Sequence, residues 1–143
     1  MKNQAVKSIA IIGASYLQLP LVLKAKEMQL RVICFAWEDG AVCAEVADKY
    51  YPVSIVEKEE ILSICIKEHI DGICTIASDV AAPTVAYVAE KMHLVGNSYT
   101  TALCASNKFL MRQAFNNYQI PSPSFLQIDN VEALPLELRF PLI

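Results

Sequence analysis

Ser8-Ile9-Ala10-Ile11-Ile12 is a short apolar, largely β-branched run that stops at Gly13, and a helical apolar period takes over within a few residues. Apolar on both sides of its alternation, such a run suits a strand buried on both faces of a parallel sheet. From residue 17 to 29 the side chains Leu19, Val22, Leu23, Ala25 and Met28 keep helical spacing, and Pro20 fits if it falls in the first turn. Strand, tight turn and helix thus follow in βα order, and the order recurs. Residues 30–36 predict a second strand, 41–48 a short helix, 50–53 a brief third strand, and 57–69 an amphipathic helix whose acidic first turn suits the macrodipole. Residues 72–77 are the next core strand, 83–92 a helix, 93–95 a short strand, and 98–105 a helix capped by Asn97 or Ser98. About five repeats of strand and helix predict an α/β fold: a doubly wound, mostly parallel, Rossmann-like sheet with right-handed crossovers.

The character changes near Ala105. Residues 106–118 predict a helix, after which Pro121 and Pro123 forbid another and launch an extended strand over 124–128. Asp129-Asn130 is expected to cap a helical turn through about Leu134, and residues 140–143 to begin a further strand. The chain therefore divides into a Rossmann-like domain over 1–105 and the first elements of a second, incomplete unit over 106–143.

With 143 residues the chain has a one-domain length. Its 55% hydrophobic and 19% charged residues are rich for a soluble monomer, so part of the apolar surplus is expected to face protein outside these residues. No apolar run reaches the roughly 18 to 20 residues that span a bilayer, and no secretory h-region is present, so no membrane partner and a cytoplasmic location are expected. A net charge of -3, from 12 basic and 15 acidic residues, argues against nucleic acid. Cys34, Cys43, Cys65, Cys74 and Cys104 form no Cys-x-x-Cys pair and read as reduced, mostly buried thiols.

Gly13-Ala14-Ser15-Tyr16-Leu17-Gln18 closes the first strand. A dinucleotide fingerprint would need two further glycines, but Ser15 and Gln18 stand in their places, which disfavours a nicotinamide oxidoreductase. The helix start still offers backbone N–H groups and a positive dipole to a phosphate or carboxylate, and it equally describes a tight turn with no ligand. Glu38 and Asp39 follow the second strand and Ser78-Asp79 the strand at 72–77. All lie at the carboxyl edge, where ligands of open α/β sheets gather. His69 and His93 stand at element junctions and read as structural; no metal-ligand set, P-loop or Ser-His-Asp order is present.

Asn107-Lys108-Phe109-Leu110-Met111-Arg112, then Ile120-Pro121-Ser122-Pro123 and Phe140-Pro141-Leu142-Ile143, resemble the opening of the nucleotide-binding region of ATP-grasp ligases. Gln18-Leu19, Val46-Ala47-Asp48-Lys49-Tyr50-Tyr51 and Val95-Gly96-Asn97-Ser98 resemble elements of the domain before it. The pattern is similar to the carbamoyl phosphate synthetase large subunit and phosphoribosylamine-glycine ligase. What the resemblance implies is a pre-ATP-grasp domain, the start of the grasp, and a full-length enzyme that uses ATP and Mg2+. That enzyme would activate a carboxylate as an acyl phosphate and hand it to an amine, with a homodimer as its expected assembly. Lys108 would meet an ATP phosphate together with helix N–H groups, Arg112 one turn on supporting it. Gly13, Ala14, Ser15, Gln18, Glu38, Ser78 and Asp79 would line the substrate edge. Magnesium ligands, the second lysine and the glycine-rich lid normally come later in the family, so no catalytic residue and no bound cofactor are expected of these residues alone. The alternative is a non-catalytic α/β module that binds a small anion at the sheet's carboxyl edge.

Overall fold

A computed structural model describes residues 6–128 and Asn130. Four parallel strands stand in the order β3-β2-β1-β4: β1 (Ser8–Ile12), β2 (Arg31–Phe35), β3 (Lys49–Tyr51) and β4 (Gly72–Cys74). The chain builds outward from β1 to β3, then returns to place β4 on the other side of β1. That reversal makes the sheet doubly wound, with its switch point between β1 and β4.

Each face of the sheet has its own core, because alternate side chains of one strand point opposite ways. Ala10 and Ile12 of β1 join Ile33 and Phe35 of β2 against α2 (Lys58–Glu68) and α3 (Ala82–Lys91), where Ile61, Cys65, Val88 and Ala89 are buried. Ile11, Val32 and Cys34 face α1 (Leu19–Glu27) through Val22 and Ala25, and meet Cys43 of a 3-10 turn (Val42–Glu45). Two-sided burial explains why β1 and β2 are apolar without a break. Burial also holds the thiols protonated, pushing Cys34 and Cys65 up to about 12. All five cysteines are free, and Cys34, Cys43 and Cys65 are buried.

Pro20 does fall in the first turn of α1, and Ser98 caps α4 (Tyr99–Ser106) by accepting a hydrogen bond from the Thr101 N–H. Several expected elements are shorter or absent. Residues 41–48 give only the 3-10 turn, and β3 ends at Tyr51 because Pro52 has no N–H to continue the ladder. Past Cys74 the Thr75 hydroxyl, not the backbone ladder, donates to the Ile12 carbonyl at 2.6 Å, and Ala77 turns to φ 55. The expected strand at 93–95 is a turn: His93 sits at φ 55, the Leu94 N–H closes α3 on the Ala89 carbonyl, and Val95 is wholly exposed. Among the described residues the alternation therefore yields four strands where the spacing predicted about five. His69 likewise ends α2 in the left-handed conformation.

Asn107 both ends α4 and begins α5 (Lys108–Asn117), which packs against α4 and buries no residue. Residues 121–128 form no strand; the prolines withhold donors, and the segment lies back along α5, with Phe125 edge-on to Phe109 at 5.7 Å. The turn expected after Asp129 and the strand expected at 140–143 lie outside the described residues.

Candidate functional site

At the carboxyl edge of the sheet, a cleft of about 720 Å3 opens over the switch point. Its floor is the loop after β1, whose shape depends on two residues. Gly13 holds φ +106, and a Cβ there would sit 2.9 Å from the Gln18 side-chain carbon. Gln18, 3% exposed, folds beneath the loop: its Oε1 accepts from the Ser15 N–H at 3.1 Å and the Ser15 hydroxyl at 2.8 Å. Its Nε2 donates to the Ile76 carbonyl at 2.6 Å. Gln18 thereby ties the loop after β1 to the loop after β4, bridging the two strands between which the chain reverses. Cys43 holds the loop from the other side, its N–H on the Ala14 carbonyl at 2.9 Å and its thiol on the Ser15 carbonyl at 3.2 Å.

These bonds alter the chemistry expected of the loop. The Ser15 and Leu17 N–H groups are taken by Gln18 and the Ser15 hydroxyl, the Gln18 N–H by the Ser15 carbonyl, and Pro20 has none. An anion would meet fewer donors at this helix start than the bare spacing implies.

Gly13, Ala14, Ser15, Gln18 and Ser78 line the cleft as a group. From the turn after β2 the lining takes Trp37, Asp39, Gly40 and Ala41; Glu38 and, from the other turn, Asp79 are not among the lining residues. The segment from Pro52 to Glu57 with Glu60 forms a wall that the sequence reading did not assign. Its signal was available, since this loop also follows the carboxyl end of a parallel strand.

Lys108 stands apart. It is exposed at the first position of α5 and does not line the cleft. The neighbouring N–H groups expected to share a phosphate with it are occupied, because the Asn107 Oδ1 accepts from Phe109 N–H at 3.0 Å and Leu110 N–H at 3.1 Å. Arg112 is turned to the Pro-rich segment, donating to the Ser122 hydroxyl at 3.3 Å. Among the described residues no group of three or more His, Cys, Asp or Glu could hold a metal ion.

A four-stranded parallel sheet with helices on both faces matches the N-terminal domain of this chain's structural neighbours, which are ATP-grasp ligases. The family resemblance read from the sequence is carried by these neighbours. Among them, the L-amino acid ligase from Bacillus licheniformis superposes with a TM-score of 0.74 at 22% identity, over 97% of this chain and 36% of its own. Phosphoribosylglycinamide synthetase from Anaerococcus prevotii gives 0.71 at 27% identity, over 79% and 29%. By sequence, the formate-dependent phosphoribosylglycinamide formyltransferase of Hydrogenovibrio crunogenus is 25% identical over 131 residues, covering 91% of this chain and 33% of that protein. This chain spans about a third of the length of each of these relatives. No family model matches it, and no helix among the described residues is long and apolar enough to cross a membrane.

Proposed function

We propose that the chain is the substrate-side, N-terminal part of an ATP-dependent ligase that activates a carboxylate as an acyl phosphate and joins it to an amine. What supports this reading is the cleft over the switch point, together with the likeness of this chain to about a third of the length of ATP-grasp ligases. Residues 1–105 then form the substrate-side domain and 106–143 the opening of the nucleotide-binding region. Within the cleft Gly13, Ala14, Ser15 and Ser78 present backbone and hydroxyl groups to the substrate, with Glu38 and Asp79 at its margin. Gln18 acts by holding the loop in place. The donors near α5 leave Lys108 to contact an ATP phosphate by its ammonium alone, a point charge that needs no fixed geometry. Bound ATP would supply the phosphoryl group. Magnesium would be held by residues other than those described, and a homodimer in the cytoplasm is the expected setting.

The test is an ADP-release assay with carboxylate and amine pools, run on the 143-residue chain and on the product of any longer reading frame. Val-Lys-Pro followed by a glycine-rich loop beyond residue 143, with ADP release from the longer product alone, is the expected result. ATP-dependent ligation by the 143-residue chain would overturn this division of labour.

A further inference from the structure

Among the described residues, every charged side chain that lines the cleft is acidic. Asp39 comes from the turn after β2, Glu57 from the residue that caps α2, and Glu60 from the first turn of α2, and no described lysine or arginine lines the cleft. The nearest lysine in sequence, Lys58, points elsewhere: its ammonium lies 2.7 Å from the Tyr99 hydroxyl and over the Tyr87 and Tyr99 rings. Among the described residues Asp39, Glu57 and Glu60 enter no salt bridge, so their charge is not cancelled by a neighbouring cation. The dipole of α2 offsets about half a charge at Glu57 and Glu60. The α1 loop adds little positive potential, its Ser15, Leu17 and Gln18 N–H groups being already bonded. Around these acids the walls are apolar: Leu17, Trp37, Pro52, Ile55, Val56 and Val80. Trp37 is 72% exposed and Val80 61%, although the same chain buries Phe35 two residues away completely. A cleft of one sign with low-dielectric walls concentrates its field and repels a ligand of like charge.

We infer that this cleft takes an ammonium-bearing ligand with an apolar body, and not a phosphorylated sugar: the ammonium would meet Asp39, Glu57 and Glu60 while the body packs on Trp37 and the aliphatic wall. The inference rests on the reading of the cleft as the substrate edge, and it narrows that substrate to an amine without a phosphate. Trp37 adds to the attraction, because an indole face draws cations as well as apolar groups. Small ligands of this kind fit easily within 720 Å3.

Trp37 is the only tryptophan in the chain, so its fluorescence reports occupancy directly. The experiment titrates the purified chain with phenethylamine, with 3-phenylpropionate as an anion of similar shape, and with ribose 5-phosphate. Saturable change with phenethylamine is expected, with the two anions weaker by about tenfold or more, as a cleft of one sign repels ligands of like charge. Glu60→Gln and Asp39→Asn, both exposed positions whose replacement leaves the core untouched, should each weaken the amine about threefold to tenfold. Equal response to phenethylamine and 3-phenylpropionate, no response to the amine, binding of ribose 5-phosphate in its place, or variants that bind the amine as the parent does would each overturn the inference. Since no nucleotide is present, the outcome is separate from the ligase reading. Amine binding with no ADP release from a longer product would remove the ligase and keep the cleft's preference, and the reverse pattern would do the opposite.

Discussion

Residues 8–106 and residues 107–128 both carry many apolar side chains and use them in opposite ways. The first stretch closes around a sheet, burying Ile11, Ile12, Ile33, Val32 and Phe35 completely between helices on both sides. In the second, α5 buries nothing, and Tyr118, Ile120, Leu126 and Ile128 are exposed. Helix α5 is nevertheless formed, because Asn107 caps its start and the helix packs along α4, whereas full burial needs elements on more than one side. The difference teaches that residues 8–106 are held by contacts between distant elements, and α5 by its cap and its packing on α4.

The comparison is sharpest at Ile61. This side chain is fully buried on α2 against the sheet, and Ile61→Ala should lower unfolding free energy by about 2–5 kcal/mol in urea titration. A loss under about 1 kcal/mol would mean that the packed half is loosely held after all.

Gly13→Ala comes next, at about 2–3 kcal/mol, from a backbone conformation that L-residues avoid together with the 2.9 Å approach to Gln18. Gln18→Ala alone should cost about 1–3 kcal/mol, since it leaves the Ile76 carbonyl and the Ser15 hydroxyl without their partner. The double variant separates the two causes: removing Gln18 relieves the contact but not the φ, so the pair should lose less than the sum. Strict additivity would mean that Gln18 does not shape the loop.

Much of this half was legible. β1 and β2, Pro20 in the first turn of α1 and the cap at Ser98 follow from spacing and local chemistry, which the structure obeys. What spacing missed was a tertiary contact, Thr75 bonding Ile12 just past β4, and a left-handed helix end, His93 at φ 55 closing α3 where a strand was expected. The cleft was partly legible for the same reason. Gly13, Ala14, Ser15, Gln18 and Ser78, expected at the strand ends, do line it, whereas Glu38 and Asp79 do not, and Gln18 also ties the two loops together. Its role depends on Ile76, 58 residues away, which no local pattern encodes.

At the amino edge of the sheet, opposite the cleft, Glu68 joins α2 to β2 and β3 by bonding Arg31, the Lys49 ammonium at 2.7 Å and the Tyr51 hydroxyl at 2.5 Å. The Lys49, Tyr51 and Arg31 hydrogen bonds hold its carboxyl at about 2, below its ordinary 4.5. A depressed folded value stabilises above pH 4.5, and that contribution is lost as pH falls from there toward 2. The midpoint of thermal unfolding should drop through that window, and Glu68→Gln should lower stability at neutral pH while flattening the acid limb. An acid limb unchanged by Glu68→Gln would remove this group as its cause.

The smallest effect is expected at Phe109, and it tests the other side of the comparison. Phe109 meets Phe125 edge-on at 5.7 Å on a helix that buries no residue. Such a pair contributes about 0.5–1.5 kcal/mol at most when well packed, so Phe109→Ala should cost below about 1 kcal/mol and act locally. Asn107→Ala should cost about 1 kcal/mol, because two N–H groups at the start of α5 lose their acceptor. Amide exchange decides whether these losses are local: protection should fall across residues 108–117 and stay unchanged in β1 and β2. If Phe109→Ala instead weakened β1 and β2 as Ile61→Ala does, α5 would belong to the same cooperative unit as the sheet, and its exposed apolar face would carry no separate meaning.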